Sequence, residues 1–336
     1  MTIRIGVIGC GDIATRQHLP ALAAHPKVTV AAVCDADEER KAYASRRWGV
    51  GRAYREYEEL IADESIDAVV VATPPWVTPR VAISALRAGK WVLAEKPMGT
   101  SLADAEAVAE AEKTSRGRVQ VGFTYRHGPL LEALRGWVTG GRLGSPLLIR
   151  LAVFDEAHNP EGDPEHYRRI FKTLEHGPPC VHDGAHSADH LHFLTGSRAV
   201  RVHAFGAKSR PEFPDANYNI AYIEFESGDV AKLEIGWFYP VFPQDDFEFQ
   251  ILGPKGIAWL DRRIPEAVLQ TPGQNESIRL DRDFFSSCFR AQLEAFLASY
   301  ESGSTPVPGT REAIASLKLT KAIEAAIASG VPVEVE

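Results

Sequence analysis

Cysteine is scarce in this chain. Only Cys10, Cys34, Cys180 and Cys288 occur in 336 residues, with no CxxC and no paired spacing. That usage excludes a disulfide framework and a thiolate zinc site, and it fits a reducing compartment. Positive charge is also in deficit. The formal net charge is −8, which argues against a nucleic-acid-binding surface and a polybasic membrane patch. No apolar run approaches the length that spans a bilayer. No cationic start, apolar h-region or cleavage site precedes the opening MTIRIGVIGCG. There is no internal repeat and no low-complexity tract. These absences lead us to expect a cytoplasmic protein that acts on a small molecule, with neither nucleic acid nor membrane as partner.

What is present is ordinary for a globular protein: 45% apolar and 24% charged residues. The length exceeds one ordinary core and predicts two domains. Up to residue 123, short apolar runs alternate with helical stretches. The runs are IRIGVIG (3–9), VTVAAVC (28–34), AVVVAT (68–73), WVLAE (91–95) and VQVGF (119–123). Nearly all-apolar strands separated by helices predict a doubly wound parallel sheet covered on both faces. Beyond it the pattern changes. A helix near 127–139 leads into the strand PLLIRLAVFDE, then a polar loop from about 156 to 180 and a helix over 183–195. Strands follow near 199–207, 217–226, 229–238, 246–252 and 256–260, then helices near 281–300 and 310–328 and a short VPVEV strand. In AKLEIGWF, Ala231, Leu233, Ile235 and Trp237 alternate with Lys232, Glu234 and Gly236. That period of two predicts an antiparallel sheet with one drier face.

The first strand ends in GVIGCGDIA, where Gly9, Gly11 and Ala14 match GxGxxG/A between a strand and a helix. Glycine lets the backbone turn tightly and approach a pyrophosphate at the positive helix N-terminus. The second strand ends at Asp35, whose carboxylate can accept from ribose hydroxyls. A carboxylate there repels a 2′-phosphate, and no arginine follows before Arg40, so NAD is favoured while NADP stays possible. Asp35 or Asp37 can alternatively cap the next helix. Thr73-Pro74-Pro75-Trp76 follows a central strand, at the end where open α/β sheets place ligands. Trp76 can pack on a flat ring or simply fill a surface groove. WVLAE runs into Lys96-Pro97. A lysine there can orient a substrate hydroxyl and favour its alkoxide, although on these residues alone a solvated turn is the simpler reading.

GVIGCGDIA, VCDAD, ATPPW, AGKWVLAEKPMG and VGFTYRH occur in an order that resembles the Gfo/Idh/MocA oxidoreductase family (glucose–fructose oxidoreductase, inositol dehydrogenase). The resemblance implies an α/β protein. An N-terminal Rossmann domain, 1–123, would bind the dinucleotide. A C-terminal α/β domain, 124–336, with an open, mostly antiparallel sheet would bind substrate and oligomerise as a homodimer or homotetramer. The C-terminal helix could pack back on the first domain. Members move a hydride between NAD(P) and a hydroxyl or ketone of sugars, cyclitols and their derivatives. The expected cofactor contacts are Gly9, Gly11, Asp12, Ile13, Asp35, Thr73, Pro74, Trp76, Glu95 and Lys96. Arg126 matches a position near the nicotinamide or substrate, or is a surface residue at a helix start.

The stretch GPPCVHDGAHSADHLH resembles the family's D-x-G-x-H-x-x-D with a departure: His182 stands where the first acid usually does, and the acid comes one residue later as Asp183. On a helix His182, His186 and Asp189 share one face. Asp183 is rotated from it by about 100° and either caps the helix, leaving the orienting role to His182, or reaches the substrate itself. His186 is the expected general acid–base, since imidazole titrates near neutrality. Lys96 would hold the same oxygen, and Asp189 another hydroxyl or His186 itself. His182, His186 and His190 also follow an HxxxHxxxH spacing that can bind zinc. They fall progressively round the helix with no further ligand, so no metal is expected, and His190 and His192 read as packing or surface residues. The 160–176 loop, with His166, Tyr167, Arg168, Arg169 and Lys172, could close over a polar ligand, its cations suiting a carboxylate or phosphate. Phe242–Asp246 could add a polar rim. The function expected is dehydrogenation of a polyol or sugar. NAD-cycling glycoside cleavage or epimerisation, or nucleotide sensing without catalysis, are the alternatives.

Overall fold

The computed structural model describes residues 2–240, 247–261, 266–279 and 283–336. The polar rim expected at Phe242–Asp246 lies outside them. The α/β expectation is borne out. The chain begins with six strands, β1 (Ile3–Ile8), β2 (Val28–Cys34), β3 (Ala53–Tyr54), β4 (Ala68–Val71), β5 (Trp91–Ala94) and β6 (Val119–Val121). They form one sheet in the order β3-β2-β1-β4-β5-β6, every pair parallel. Helices cross between them: α1 (Leu19–Ala24), α2 (Glu38–Trp48), α3 (Tyr57–Ala62), α4 (Thr78–Arg87) and α5 (Leu102–Thr114). β4 and β5 are buried at every position, as a sheet covered on both faces requires. Local signals set the helix ends. Ser101 and Asp104 form a reciprocal capping box on α5, and Gly49 closes α2 at φ 65°.

The next elements are α6 (Pro129–Thr139), β7 (Leu148–Asp155), α7 (Pro164–Thr173), α8 (Pro179–His182) and α9 (Gly184–Thr195). Then come β8 (Ala199–Ala207), β9 (Tyr218–Phe225), β10 (Val230–Trp237), β11 (Phe247–Gly253), β12 (Gly256–Asp261), β13 (Glu266–Thr271) and β14 (Gln274–Arg279). The chain ends with α10 (Phe284–Ser302), α11 (Thr310–Ser329) and β15 (Val333–Glu334). The second sheet has nine strands in the order β14-β13-β12-β11-β7-β10-β9-β8-β15. Its pairs are antiparallel except β7 with β10. One face packs Val202, Ile223, Leu233, Ile149 and Ile251 into a core with helix residues such as Leu134, Leu191 and Ile323. The register puts Phe205, Tyr222, Leu148 and Ile257 on the opposite, exposed face.

Two expectations need correction. The polar loop foreseen at 156–180 carries α7, a short 3-10 turn over Leu174–His176 and α8. Asp163 caps α7 by accepting from the His166 N–H at 3.0 Å, and Tyr167, Ile170 and Phe171 pack on an aromatic cluster. That apolar side is short, so it is weak in sequence and decided by its tertiary partner. Strands β3, β13 and β14 were not foreseen either. β3 is two residues long, and β14 has no buried residue, so neither carries a readable apolar pattern.

The chain divides into two compact units: Met1–His127 with Phe285–Ile314, and Gly128–Phe284 with Ala315–Glu336. α10 therefore joins the first sheet, from which it is remote in sequence. Leu293, Phe296 and Leu297 enter the core with Val7, Val70 and Leu93. Gln120 donates to the Gln292 carbonyl at 3.0 Å and Thr124 to its side-chain oxygen at 2.8 Å. Phe296 is fully buried. Phe296→Ala should lower the unfolding free energy by about 3–5 kcal/mol, seen as an earlier urea transition.

Candidate active site

In the first unit, β1 leads straight into a glycine turn. Gly9 has φ 92°, and a Cβ on it would sit 2.4 Å from the Ala72 carbonyl oxygen, so no side chain fits. A Cβ on Gly11 would meet nothing within 4 Å, which leaves that side open to a ligand. Asp12 is exposed and Ile13 half-buried on the same turn, before a π-turn over Ala14–His18 runs into α1. Asp35 Oδ2 accepts from the Cys10 N–H at 2.7 Å, and Oδ1 from the Asp37 N–H at 2.8 Å. Each oxygen keeps a second lone pair for a ribose hydroxyl. Asp37 is the residue that caps α2, accepting from Glu39 and Arg40. The capping role left open between Asp35 and Asp37 thus falls to Asp37. Burial, reinforced by the Asp35 charge, pushes the Cys10 and Cys34 thiols up to about 12, so neither is a nucleophile at neutral pH. The Thr73 and Thr78 hydroxyls bond at 3.0 Å and pin the start of the Pro74–Trp76 turn, where Trp76 is half-buried. The cradle suits a dinucleotide with a free 2′-hydroxyl. Asp35→Ser should weaken NAD binding about 10- to 100-fold and narrow the preference over NADP, measured by fluorescence titration with both.

β5 delivers Glu95 and Lys96. The Glu95 N–H donates to the Val71 carbonyl at 2.9 Å, Lys96 is half-buried, and the Lys96–Pro97 peptide is cis. Sequence reasoning passed over His18, whose Nε2 donates to Glu95 Oε1 at 2.6 Å. Arg126 is half-buried on a 3-10 turn over Thr124–His127 that follows β6. Beside it, burial and then the Arg126 charge hold the His127 imidazole down at about 4. A histidine depressed from its ordinary value favours the folded state above about pH 6.5. That contribution is lost as pH falls from there through about 4. His127→Gln should flatten this part of the acid-side fall in stability, read from urea midpoints between pH 8 and 4.5.

In the second unit, α8 and α9 meet at Asp183. Of the two roles left open for Asp183, the cap is not taken up: Asp183 has helical φ and ψ and its side chain makes no cap. It instead accepts from Trp237 Nε1 at 2.6 Å, because β10 ends beside it. His182 is buried and stacks on the same indole, centroids 5.7 Å apart at 22°. His186 is half-buried one turn on and stacks on His190 at 6.1 Å. Asp189 and His190 are buried, and His190 also lies 6.3 Å from the Phe249 ring. His192 meets Phe225 edge-on. His190 and His192 thus each pack against an aromatic ring.

β7 and β10 run parallel, so their carboxyl ends lie side by side, and Glu156 follows β7 there. His166 Nε2 donates to Glu156 Oε2 at 2.6 Å. Burial and the Asp183 charge push the Glu156 carboxyl up, against the pull of His166. Glu156 and Trp237 escaped the sequence reading, since a glutamate in a polar run and a tryptophan in a strand carry no motif. Tyr167 lies on α7, not in a loop, and packs on His158, Phe171 and Phe238. Arg168 is exposed, while Arg169 donates to His166 Nδ1 at 2.9 Å. Among the described residues no group of three or more histidines, cysteines or acids could hold a metal ion. Nor is any described helix long and apolar enough to cross a membrane.

Residues 3–123 match the model of the oxidoreductase family with an NAD-binding Rossmann fold, and residues 135–335 match that family's C-terminal alpha/beta domain. The chain belongs to the Gfo/Idh/MocA family. It is accordingly an NAD-dependent oxidoreductase. It is 30% identical to inositol 2-dehydrogenase 2 of Saccharopolyspora erythraea, covering 100% of this chain and 96% of that one. Identity to scyllo-inositol 2-dehydrogenase (NAD(+)) of Bacillus subtilis is 23%, over 99% and 96% of the two chains. Among solved structures, myo-inositol 2-dehydrogenase of Lactobacillus plantarum shares the fold, with a TM-score of 0.85, 21% identity and full coverage of both chains.

Proposed function

We propose that this Gfo/Idh/MocA member exchanges a hydride between NAD and a secondary hydroxyl or ketone of a sugar, cyclitol or related polyol. Lys96 and His186 serve the reacting oxygen. The observation that carries the reading is the arrangement on α8 and α9. Trp237 holds Asp183 and stacks with His182, while His186 stands one turn on, half-buried. A dinucleotide held by Gly9, Gly11 and Asp35 would supply the hydride acceptor or donor. The lysine ammonium donates to the oxygen and favours its alkoxide. The imidazole takes the hydroxyl proton in oxidation and returns it in reduction. Asp189, His182, Arg126 and Tyr167 complete the set we assign to substrate. Asp183 and Glu156, close enough that one raises the other, favour a neutral polyol over an acidic or phosphorylated ligand. The relatives named as inositol 2-dehydrogenases make cyclitols the first compounds to try. The outward face bearing Phe205, Tyr222, Leu148 and Ile257 suits a homodimer or homotetramer.

A panel of cyclitols and sugars, followed by absorbance of reduced nicotinamide with NAD and NADP in parallel, tests the activity. Lys96→Met and His186→Ala should each lower kcat about 100- to 10,000-fold while leaving the NADH dissociation constant nearly unchanged. Wild-type turnover in both variants would remove the assigned roles. A tightly retained cofactor with no net redox change would point to a cycling mechanism instead.

A further inference from the structure

We propose that His18 is a positioning residue, which sets the Lys96 turn by holding the Glu95 side chain. The inference rests on the reading of Lys96 given above. His18 lies in the π-turn over Ala14–His18, on the segment that leaves the glycine cradle. Its imidazole donates through Nε2 to Glu95 Oε1 at 2.6 Å, with the two side chains 5% and 11% exposed. The Phe289 ring on α10 lies perpendicular to the imidazole, centroids 5.0 Å apart at 89°. Glu95 has a wall on its other side: a Cβ on Gly122 would lie 3.2 Å from both its Cα and its carboxyl carbon. The imidazole is thus clamped between a phenyl ring and a carboxylate, and that carboxylate belongs to the residue joined to Lys96.

Such a pair does two things. It keeps a nearly buried carboxylate hydrogen-bonded, which fixes one rotamer of Glu95 and the peptide plane that follows. It also ties the segment carrying the cofactor cradle to the turn carrying the lysine, so both keep one geometry. Without the imidazole, Glu95 would turn away in search of water or another donor, and the adjoining peptide would move with it. Displacing a reacting group by about 1 Å can cost roughly 100-fold in rate. The cradle itself, built from Gly9, Gly11 and Asp35, would be left in place.

The test compares His18→Leu, His18→Gln, Glu95→Gln and Lys96→Met. Each is assayed for kcat and KM with the best polyol, for the NADH dissociation constant by fluorescence, and for thermal stability. His18→Leu and Glu95→Gln should lower kcat about 10- to 100-fold, and His18→Leu should leave NADH affinity within about threefold. His18→Gln places an amide nitrogen near the position of Nε2 and should recover most of the lost turnover. The double variant H18L/E95Q should be no slower than the worse single one, as for residues acting as a unit. A purely structural role would lower the melting temperature of His18→Leu with unchanged kcat at 25 °C, and that result overturns the proposal. Equal slowing in His18→Leu and His18→Gln does so as well. Glu95→Gln, which keeps the shape of the side chain, decides the matter if His18→Leu does not fold. Full turnover in Lys96→Met would remove the lysine reading and this proposal with it. Full turnover in folded His18→Leu beside an inactive Lys96→Met removes the positioning role alone.

Discussion

The first unit depends on a backbone approach too close for any side chain. β1 and β4 run parallel and in register, and their exits meet where Gly9 faces the Ala72 carbonyl. Only glycine satisfies both the contact and the left-handed φ. Because that turn is tight, the next residue points its N–H at Asp35, and the carboxylate is anchored to the loop it serves. One contact between neighbouring strands thus sets the spacing between the glycine turn and the acid at the end of β2.

The second unit solves a related problem with a parallel pair inside an otherwise antiparallel sheet. After Asp155 and Trp237, which are paired in register, the chain turns at Glu156 and Phe238 with φ of 53° and 61°. These are the non-glycine residues with left-handed φ among those described, and the Phe238 N–H donates to the Glu156 carbonyl at 2.7 Å. Such conformations cost on the order of 1 kcal/mol or more each. Burial of Phe238 in the aromatic cluster and the hydrogen bond from His166 to Glu156 offset part of that cost. The turn leaves Trp237 against Asp183 and His182.

Among the described residues, an imidazole holding the glutamate that immediately follows a strand occurs twice. His18 holds Glu95 after β5 and His166 holds Glu156 after β7, both at 2.6 Å. In each case a helix supplies the base and a parallel strand supplies the acid. Loops at the carboxyl ends of parallel strands carry the polar groups of the site, and each such group is costly to bury unless a partner arrives from another element. The helices beside these strands are the nearest source of one.

The parallel sheet, the glycine turn, the Asp35 carboxylate and the Lys96 turn were legible in residue order. Each is a local pattern: all-apolar runs, small residues where a chain must bend, a charged group at a strand end. The helix carrying His186 and Asp189 was legible for the same reason, although His182 belongs to the short α8 before it. The partners were not. Whether Asp183 caps a helix or meets an indole depended on where β10 ends, more than fifty residues away. The pairing of His18 with Glu95, the helix within the supposed 156–180 loop and the placement of α10 against the first sheet likewise required the fold. Backbone propensity and apolar periodicity are written into adjacent residues. The choice among several possible hydrogen-bond partners is made only when distant segments exclude water from one of them.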